Sequence, residues 1–298
     1  MTSTAVGLLF LSFVPGVLSF TDAAGRILRR SSLVSSRSSS SSSSSSRLSA
    51  AEFNLLFDCD GVLADTERDG HRVAFNKAFV EKGIVEEEEY WDVPLYGKLL
   101  ETGGGKERMT AHWNNVGWPK GYDSPDAQKE LVVGLHKRKT ELFNEMITAG
   151  QIPLRPGVLR LVDEAIAADV PLAVCSTSNE KAVSNIVETL MGPERAKKFQ
   201  IFAGDVVEKK KPSPDIYLLA KDTMGLSADR TMVIEDSHIG LSAAKSAGMN
   251  CVVTKSSYTA EEDFTLADAI VEELGDDGEA GASVTLEKLM RIPGTGTE

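Results

Sequence analysis

The sequence lacks three things: enough cysteines for a disulfide framework, an apolar run long enough to span a membrane, and an excess of positive charge. Its 298 residues hold three cysteines, all in strand-like runs, so we expect buried reduced thiols. The apolar stretch 5–20 is broken by Pro15 and Gly16 and is too short to cross a bilayer. The net charge is −12, and residues 1–50 hold five Arg and one Asp (+4), so residues 51–298 carry −16. An acidic body argues against nucleic-acid binding.

The first fifty residues have the composition of a targeting segment. The segment between Asp22 and Glu52 has no acidic residue. It contains five Arg and an unbroken serine run at 38–46. A signal-like apolar stretch followed by an Arg- and Ser-rich, acid-poor one is typical of bipartite plastid presequences. The alternative is a disordered linker behind a secretory signal. We therefore leave residues 1–50 out of the fold and expect the mature protein in the stroma of the plastid (chloroplast), with no membrane attachment.

Beyond residue 50, apolar runs of strand length alternate with helical patterns. The predicted strands are 53–57, 172–176, 200–203, 232–235 and 251–254. The predicted helices among them are 158–168, 180–191, 214–224 and 239–247. Strands that alternate with helices favour an α/β fold with a doubly wound parallel sheet and right-handed crossovers.

The gap between the first two predicted strands, roughly a hundred residues, is too long for a crossover. It contains helical patterns such as the i, i+4 pairs Leu131–Leu135 and Leu142–Met146. The turn signal Pro156–Gly157 would return the chain from this insertion to the sheet. We predict an inserted α-helical cap at 68–154, a core made of 51–67 and 155–274, and a C-terminal tail at 275–298.

Two carboxylates two residues apart, Asp58 and Asp60, follow the first predicted strand. Residues i and i+2 of a strand share a face, so both side chains can converge on one site. Carboxylates that lie so close repel each other unless a proton or a cation sits between them. The pair therefore indicates either a metal site or a nucleophile that works beside an acid.

Three more segments place polar side chains at the ends of predicted strands, where open α/β sheets hold ligands. Residues 172–179 end in hydroxyls, 209–215 put lysines before a proline-started helix, and 231–237 end in carboxylates. With the run 55–66, these segments resemble the haloacid dehalogenase (HAD) superfamily of aspartyl-phosphate phosphotransferases over roughly residues 53–272. The resemblance implies a HAD-like core with a central first strand and the sheet order 5-4-1-2-3. It also implies Mg²⁺ as cofactor, and we expect no organic cofactor.

The resemblance further implies a role for each polar strand end. Asp58 would be the nucleophile, forming an acyl phosphate that water later cleaves. Asp60 would be the general acid that protonates the leaving alcohol, and then the base that activates water. Ser176 and Lys211 would hold the transferring phosphoryl group. The implied metal site consists of Asp58 and Asp236 by side chain, Asp60 by its backbone carbonyl, and Glu235 in the ligand shell or just outside it.

The predicted cap carries two basic clusters within a strongly acidic body. Residues 103–108 combine three glycines, whose backbone can approach a phosphate closely, with Lys106 and Arg108. They do not form a Gly-x-x-x-x-Gly-Lys-Ser/Thr nucleotide-binding loop. Residues 136–139 form the second cluster, in which His136 and Lys139 would share one helix face. Such clusters are usually solvated when taken singly, but two of them in a domain that faces an active site suggest a substrate with a second anionic group, such as a sugar bisphosphate.

The motifs at 65–71, 91–97, 103–109 and 176–182 resemble those of the CbbY-type phosphatases. Plastid members of that group dephosphorylate xylulose-1,5-bisphosphate, which inhibits Rubisco. The resemblance implies that the substrate is bound by Glu67, His71, Tyr96, Gly104, Gly105, Lys106, Glu107, Arg108, His136, Lys137, Arg138, Lys139, Thr177, Ser178 and Asn179.

Two other functions remain open at this point. A β-phosphoglucomutase-like phosphosugar mutase would share the core and the cap, and motifs near Asp58 do not separate it from a phosphatase. A binding protein without catalysis is disfavoured, because Asp58, Asp60, Lys211 and Asp236 are all present. We expect a monomer whose partner is a small-molecule sugar bisphosphate.

Overall fold

The apolar runs predicted as strands form one parallel sheet. The protein is described by a computed structural model, which describes residues 53–276 and 284–292. Six strands lie in the order β3-β2-β1-β4-β5-β6, and every neighbouring pair is parallel. The strands are β1 (Asn54–Phe57), β2 (Leu172–Ser176), β3 (Phe199–Ala203), β4 (Thr231–Glu235), β5 (Asn250–Thr254) and β6 (Ala269–Val271). The predicted presequence, 1–50, lies outside the described residues, so its targeting role stays a prediction.

The strands are apolar on both faces because helices cover both sides of the sheet. Every residue of β1, β2, β4 and β5 is buried. Such strands consist of continuous apolar runs without the alternation of a half-exposed sheet. β1 lies in the middle, where Leu55 pairs with Leu172 of β2 on one side and with Met232 of β4 on the other.

The predicted doubly wound sheet is confirmed, including the order 5-4-1-2-3 of its first five strands. Each of these strands begins and ends within one residue of its predicted bounds. The sixth strand, β6, was not predicted. It has three residues, all at least partly exposed, and pairs with β5 alone among the described strands. So short an edge strand leaves no apolar run from which to predict it.

Ten α-helices lie among the described residues, and five of them fall between β1 and β2. None within 53–276 or 284–292 has both the length and the apolar character that a bilayer crossing requires. The helices are α1 (Arg72–Glu81), α2 (Val93–Leu99), α3 (Gly105–Val116), α4 (Pro125–Thr148), α5 (Val158–Ala167), α6 (Glu180–Met191), α7 (Pro193–Ala196), α8 (Asp215–Met224), α9 (His238–Ser246) and α10 (Leu286–Leu289). A π-helical turn (Thr66–His71) precedes α1, and a 3₁₀ turn (Ala228–Arg230) precedes β4.

The inserted helices α1–α4 depend on one long amphipathic helix. α4 has 24 residues and begins after Ser124, whose hydroxyl accepts the Ala127 N–H at 3.3 Å. Its predicted i, i+4 pairs are buried on one stripe, which faces α1. The helical content predicted for 68–154 is therefore present, while the exact limits of a separate cap domain stay a prediction.

Two glycine turns join the insertion to the sheet. Gly61 follows β1 with a φ of 77°, and a Cβ there would lie 1.9 Å from Asp236 Oδ2. Gly157, in the predicted turn before α5, has a φ of 81°, and a Cβ there would meet the backbone of Gly275 at 2.3 Å. Glycine is needed at both positions because the backbone is left-handed and another segment lies against it.

Part of the predicted C-terminal tail packs on the core. Val284, Leu286 and Leu289 are buried, and the Leu286 N–H donates to Glu164 Oε2 of α5 at 2.7 Å. The cysteines also behave as predicted, since Cys59, Cys175 and Cys251 are free, buried thiols.

Candidate active site

The carboxyl ends of β1, β2 and β4 open onto one cleft. Asp58 continues the register of β1, because its N–H donates to the Ile234 carbonyl at 2.9 Å. The cleft has a volume of about 490 Å³. It is lined by Asp58, Asp60, Gly61, Asp65, Glu67, His71, Leu100, Ser176, Thr177, Ser178, Lys211, Asp236, Ser237, Ile239, Ser256, Tyr258, Thr259 and Glu262.

A buried ion-pair network centred on Lys211 forms the floor of the cleft. Lys211 Nζ lies 2.6 Å from Asp58 Oδ1 and 2.7 Å from Glu235 Oε1, and it donates to the Cys175 carbonyl at 2.9 Å. These three bonds use all the protons of the ammonium group. Glu235 also accepts the Tyr217 hydroxyl at 2.5 Å on Oε1 and the Asp236 N–H at 3.2 Å on Oε2. The lysine is therefore held rigidly between strand ends.

Burial and charge act on this network in opposite directions. Burial raises the pKa of Asp58 to about 7, because desolvation and the neighbouring carboxylates outweigh the nearby Lys211. Burial alone would lower the pKa of Lys211, but Asp58 and Glu235 more than offset this and raise it above its ordinary value. Burial, together with Glu235 and Asp58, raises the pKa of Asp236 well above its usual range. The site concentrates more negative charge than its lysine neutralises.

The excess negative charge suits a hard divalent cation. Carboxylate oxygens of Asp58, Glu235 and Asp236 lie within 4.8 Å of one another, and all three residues are buried. Oxygen donors are those that Mg²⁺ prefers. Because Gly61 has no side chain to displace the Asp236 carboxylate, the turn after β1 can approach this group. The donor set therefore fits Mg²⁺.

Asp60 is held by hydroxyl groups instead of by cations. Thr66 Oγ1 donates to Asp60 Oδ1 at 2.5 Å, and Ser178 Oγ donates to Asp60 Oδ2 at 2.5 Å. Ser176 Oγ lies 3.5 Å from the same oxygen. The two carboxylates predicted to converge do share the cleft, but in different surroundings. Asp58 faces an ammonium group, whereas Asp60 is oriented by neutral donors and can exchange a proton with a ligand.

A second polar chain lies where the inserted helices form the wall of the cleft. The Tyr96 hydroxyl donates to Glu67 Oε2 at 2.8 Å, and Arg108 Nη1 donates to that hydroxyl at 2.9 Å. Arg108 also donates to the Leu99 carbonyl at 3.1 Å. Burial raises the pKa of Glu67, although the hydrogen bond from Tyr96 and the charge of Arg108 act against it. Of these three side chains, Glu67 lines the cleft.

Lys139 is buried behind His71 at the same wall. Its Nζ lies 2.8 Å from His71 Nδ1 and above the ring of Phe75 at 4.8 Å, and the His71 ring stacks on Phe143 with centroids 3.9 Å apart. Burial lowers the pKa of Lys139 to about 8, since Glu67 offsets only part of the desolvation. Burial and Lys139 lower the pKa of His71 well below its ordinary value, so the imidazole is neutral at pH 7. An ammonium group can only donate, so Nδ1 accepts and the ring proton lies on Nε2.

This architecture matches a known family. A family model for haloacid dehalogenase-like hydrolases matches residues 54–248, more than half of the chain. This chain belongs to the haloacid dehalogenase-like hydrolases. A CBBY-like protein of Arabidopsis thaliana is 60% identical over 223 residues, which cover 74% of this chain and 69% of that protein. Protein CbbY of Cupriavidus necator is 39% identical over 230 residues, covering 76% and 87%.

A solved structure supports the same relationship for this hydrolase. The structure of a CbbY variant from Rhodobacter sphaeroides in complex with xylulose-1,5-bisphosphate is 37% identical, with a TM-score of 0.57. It covers 78% of this chain and 99% of its own. The resemblance drawn from the motifs is confirmed, and with it the predicted enzyme class, a phosphatase of the CbbY type.

The remaining predicted substrate-binding residues of the hydrolase are spread over the surface of the inserted helices. Lys106 and Glu107 are exposed and line a separate groove between α3 and α4. Gly104 precedes α3, and Gly105 packs so closely on His136 that a Cβ would lie 2.9 Å from its ring. These residues lie beside the Lys139 region, but none of them lines the cleft.

Two members of the second basic cluster point away from the site. Lys137 is exposed. Arg138 forms salt bridges with Glu81 at 2.6 Å, Glu145 at 3.0 Å and Glu141 at 3.3 Å. The helical period puts these side chains on a different face from His136 and Lys139, as predicted. We leave Lys137 and Arg138 out of the proposed site.

The residues that follow β2 divide between the cleft and a helix cap. Thr177 and Ser178 line the cleft. Asn179 is exposed, and its side chain accepts the N–H groups of Lys181 at 3.1 Å and Ala182 at 3.4 Å. Asn179 is therefore the N-cap of α6, and its side-chain amide oxygen is used by these two hydrogen bonds.

Several residues of the hydrolase site were not predicted. The Thr66 hydroxyl donates to Asp60, and the Tyr217 hydroxyl donates to Glu235. Asp65 accepts the Ser257 hydroxyl at 2.5 Å, and the Tyr258 ring lies 5.8 Å from that of Tyr96. Burial raises the pKa of Tyr258 to about 12. Ser257 and Tyr258 are uncharged residues of the loop after β5, so only their position in the fold connects them to the site.

Proposed function

We propose that this hydrolase is a Mg²⁺-dependent phosphatase that converts xylulose-1,5-bisphosphate to xylulose 5-phosphate and so removes an inhibitor of Rubisco. The proposal rests on one observation above all. Lys211 lines the cleft at the strand ends, a second buried lysine, Lys139, lies behind His71 of the cleft wall, and Lys139 has no carboxylate within 4 Å among the described residues. A substrate with two phosphates would place one beside Lys211 and the other beside His71, with the charge of Lys139 behind it. The complex of the Rhodobacter sphaeroides relative with xylulose-1,5-bisphosphate supports the choice of sugar.

The reaction begins with attack by Asp58. A carboxylate oxygen of Asp58 forms a bond to phosphorus, and the bond from phosphorus to the sugar oxygen breaks. Lys211, 2.6 Å from Asp58, neutralises the transferring group, and the Ser176 hydroxyl donates to it. Asp60 gives its proton to the leaving sugar oxygen. The product side then holds an aspartyl phosphate on Asp58 and a deprotonated Asp60.

Hydrolysis reverses the role of Asp60. The carboxylate takes a proton from a water molecule, whose oxygen attacks phosphorus and releases inorganic phosphate and free Asp58. The hydrogen bonds from Thr66 and Ser178 keep Asp60 aimed at the same point in both steps. One residue therefore supplies and recovers the proton, and both carboxylates end the cycle as they began.

The metal would be held by this chain's own oxygens. Asp58 and Asp236 would bind Mg²⁺ through their side chains, and Asp60 through its backbone carbonyl. Glu235 already accepts hydrogen bonds from Lys211, Tyr217 and the Asp236 N–H, so we place it just outside the ligand shell. A bound Mg²⁺ supplies positive charge that lets an anionic nucleophile approach an anionic phosphate.

The second phosphate would lie at the wall formed by the inserted helices. His71 lines the cleft and carries its proton on Nε2, which can donate to an anion. Lys139 behind it, and Arg108 beyond Tyr96, add two positive charges to this wall. Glu67 would receive a sugar hydroxyl. An anion here would complete the charge compensation that Lys139 lacks.

The test is phosphate release by the purified protein with Mg²⁺. Xylulose-1,5-bisphosphate, ribulose-1,5-bisphosphate and glucose phosphates are compared, with the Asp58→Asn variant as control. We expect the wild type to prefer xylulose-1,5-bisphosphate strongly. The Asp58→Asn variant should lose activity by about a thousandfold or more, on the order seen when a nucleophile is removed. Isomerisation of a glucose phosphate without phosphate release would instead make the protein a β-phosphoglucomutase-like mutase. Substantial activity of the Asp58→Asn variant would contradict the role of Asp58.

We also propose that the protein works in the plastid stroma. The Arg- and Ser-rich, acid-poor composition of residues 1–50 supports this location. A fluorescent protein fused behind residues 1–50 should accumulate in plastids. Secretion of the fusion would contradict the proposal and favour a simple secretory signal.

A further inference from the structure

Arg155 lies where the inserted helices rejoin the core. Leu154, just before it, forms an antiparallel bridge with Ala64, and the Arg155 N–H donates to the Leu63 carbonyl at 2.8 Å. The two connections between the insertion and the sheet are therefore paired at this point. Arg155 itself does not line the cleft.

The guanidinium group of Arg155 donates to four backbone carbonyls from three separate segments. Nη1 bonds the carbonyls of Gly61 and, at 3.2 Å, Thr254. Nη2 bonds the carbonyls of Lys255 at 2.5 Å and Glu272 at 3.0 Å. Only the planar fork of an arginine can reach so many acceptors at once.

Two of these segments carry groups of the cleft. Gly61 directly follows Asp60, and its backbone lies against the Asp236 carboxylate. Lys255 is followed by Ser256, which lines the cleft together with Asp236, and by Ser257, which donates to Asp65 at 2.5 Å. The turn after β1 and the loop after β5 thus approach Asp236 from two sides, and Arg155 joins them behind the cleft.

We propose that Arg155 is a positioning residue for the reaction: it fixes the Asp60–Gly61 turn against the loop after β5, and so sets the spacing of Asp60 and Asp236. The proposal deepens the phosphatase function proposed above and rests on it for its catalytic consequence. Displacing a reacting group by about 1 Å can lower a rate about a hundredfold. Mutating a residue that supports metal ligands from outside the ligand shell typically lowers the affinity for the metal about tenfold to a hundredfold.

Arg160 offers a matched control on the next turn of chain. Its guanidinium also donates to three backbone carbonyls, those of Leu274 at 3.0 Å, Gly275 at 2.8 Å and Val284 at 3.0 Å. These contacts tie the C-terminal segment to α5, whereas those of Arg155 join the Gly61 turn to the loop after β5. A general loss of packing should therefore affect both arginines alike, whereas a loss of positioning should affect Arg155 alone.

The experiment compares Arg155→Lys, Arg155→Gln and Arg160→Lys with the wild type. For each, kcat and KM for p-nitrophenyl phosphate, the Kd for Mg²⁺ by calorimetry and the Tm are measured. We expect both Arg155 variants to lose kcat by about 10- to 100-fold, with little change in KM, and to bind Mg²⁺ about tenfold more weakly. Arg160→Lys should lower the Tm but leave kcat and the Kd for Mg²⁺ within about twofold of the wild type.

The outcomes separate this inference from the proposed function. Arg155 variants that lose Tm as Arg160→Lys does, while keeping the wild-type kcat and Kd for Mg²⁺, would overturn the inference. If Arg155→Lys is unfolded at the assay temperature, the inference is tested with Arg155→Gln. The Kd for Mg²⁺ of both Arg155 variants is then measured at a lower temperature, where they are folded. A wild-type protein that binds Mg²⁺ but hydrolyses no phosphate ester would overturn the proposed function, and the effect of Arg155 on Mg²⁺ binding would still be measured.

Discussion

Two buried lysines serve the cleft, Lys211 in its floor and Lys139 behind His71 of its wall, and they differ in how their charge is balanced. Lys211, at the ends of the strands, contacts two carboxylates at 2.6 and 2.7 Å, and its pKa is raised. Lys139, on α4, contacts a neutral histidine and two aromatic rings, and burial lowers its pKa to about 8. The positive charge of Lys211 is balanced by carboxylates in contact with it, whereas Lys139 has no carboxylate in contact among the described residues.

This difference indicates a division of labour between the sheet and the inserted helices. A compensated lysine is held in one place and serves a reaction whose geometry does not change with the substrate. An uncompensated one is destabilising in the free protein and becomes favourable when an anion arrives. The sheet end therefore suits the chemistry common to the family, and the helical end suits recognition of a particular substrate.

Replacing Lys211 should have the largest effect of the changes considered. Lys211→Met leaves Asp58 and Glu235 buried without their cation, so the free energy of unfolding without Mg²⁺ should fall by about 3 kcal/mol, and activity should be lost. Chemical denaturation and phosphate release measure the two effects. Lys210→Met is the control, since Lys210 is half-exposed and pairs with Asp205 at 3.1 Å. It should change the free energy of unfolding by less than about 0.5 kcal/mol.

Replacing Lys139 should have the opposite signature. Lys139→Met removes an uncompensated buried charge, so the protein should lose less than about 1 kcal/mol of stability, while KM for the bisphosphate rises about tenfold to a hundredfold. Steady-state kinetics and denaturation are compared with Lys137→Met, an exposed lysine of the same helix. A variant that unfolds like Lys211→Met would show that the two lysines are equivalent.

The pH dependence of binding should follow Lys139. Its pKa of about 8 keeps it charged at pH 7 and mostly neutral at pH 8.5, so KM for the bisphosphate should rise about fourfold over that interval. The unfolded chain keeps the ordinary lysine value of 10.5, so between about 8 and 10.5 the unfolded state binds more protons and stability rises with pH. Both trends should be absent in Lys139→Met. If either pH trend persists in Lys139→Met, that trend belongs to a titratable group other than Lys139.

The smallest effect is expected from Lys106. This residue is exposed at the start of α3, where single charged contacts are worth about 1 kcal/mol or less. Lys106→Ala should raise KM for the bisphosphate by up to about fivefold and leave KM for a monophosphate unchanged. Lys129→Ala, an exposed lysine beside the same groove, is the control. Equal changes for both substrates would remove Lys106 from recognition of the second phosphate.

The first five strands of the sheet could be predicted from the sequence because they are short, mainly apolar runs, several of which end in polar residues. Asp58, Lys211 and Glu235 were predicted to belong to one site, and the structure brings Lys211 within hydrogen-bonding distance of both carboxylates. The short edge strand β6 could not be predicted in this way, because it has three residues and no buried position.

The supporting contacts of the site could not be predicted, because they are tertiary and use common residue types. Nothing in the sequence around Tyr217 of α8 indicates that its hydroxyl donates to Glu235. Arg155 likewise stands in no recognisable motif, and only the fold places four backbone carbonyls around it. The basic cluster 136–139 shows the converse. Four adjacent residues look alike in the sequence, and helix geometry divides them between the site and a surface ion-pair network.

The division between the two lysines is best tested by a ratio of specificity constants. The ratio of kcat/KM for xylulose-1,5-bisphosphate to that for xylulose 1-phosphate is measured for the wild type and for Lys139→Met. We expect a large ratio in the wild type that falls about tenfold or more in the variant, through loss of activity on the bisphosphate alone. An unchanged ratio would mean that Lys139 does not read the second phosphate, and would contradict the separation of chemistry from recognition.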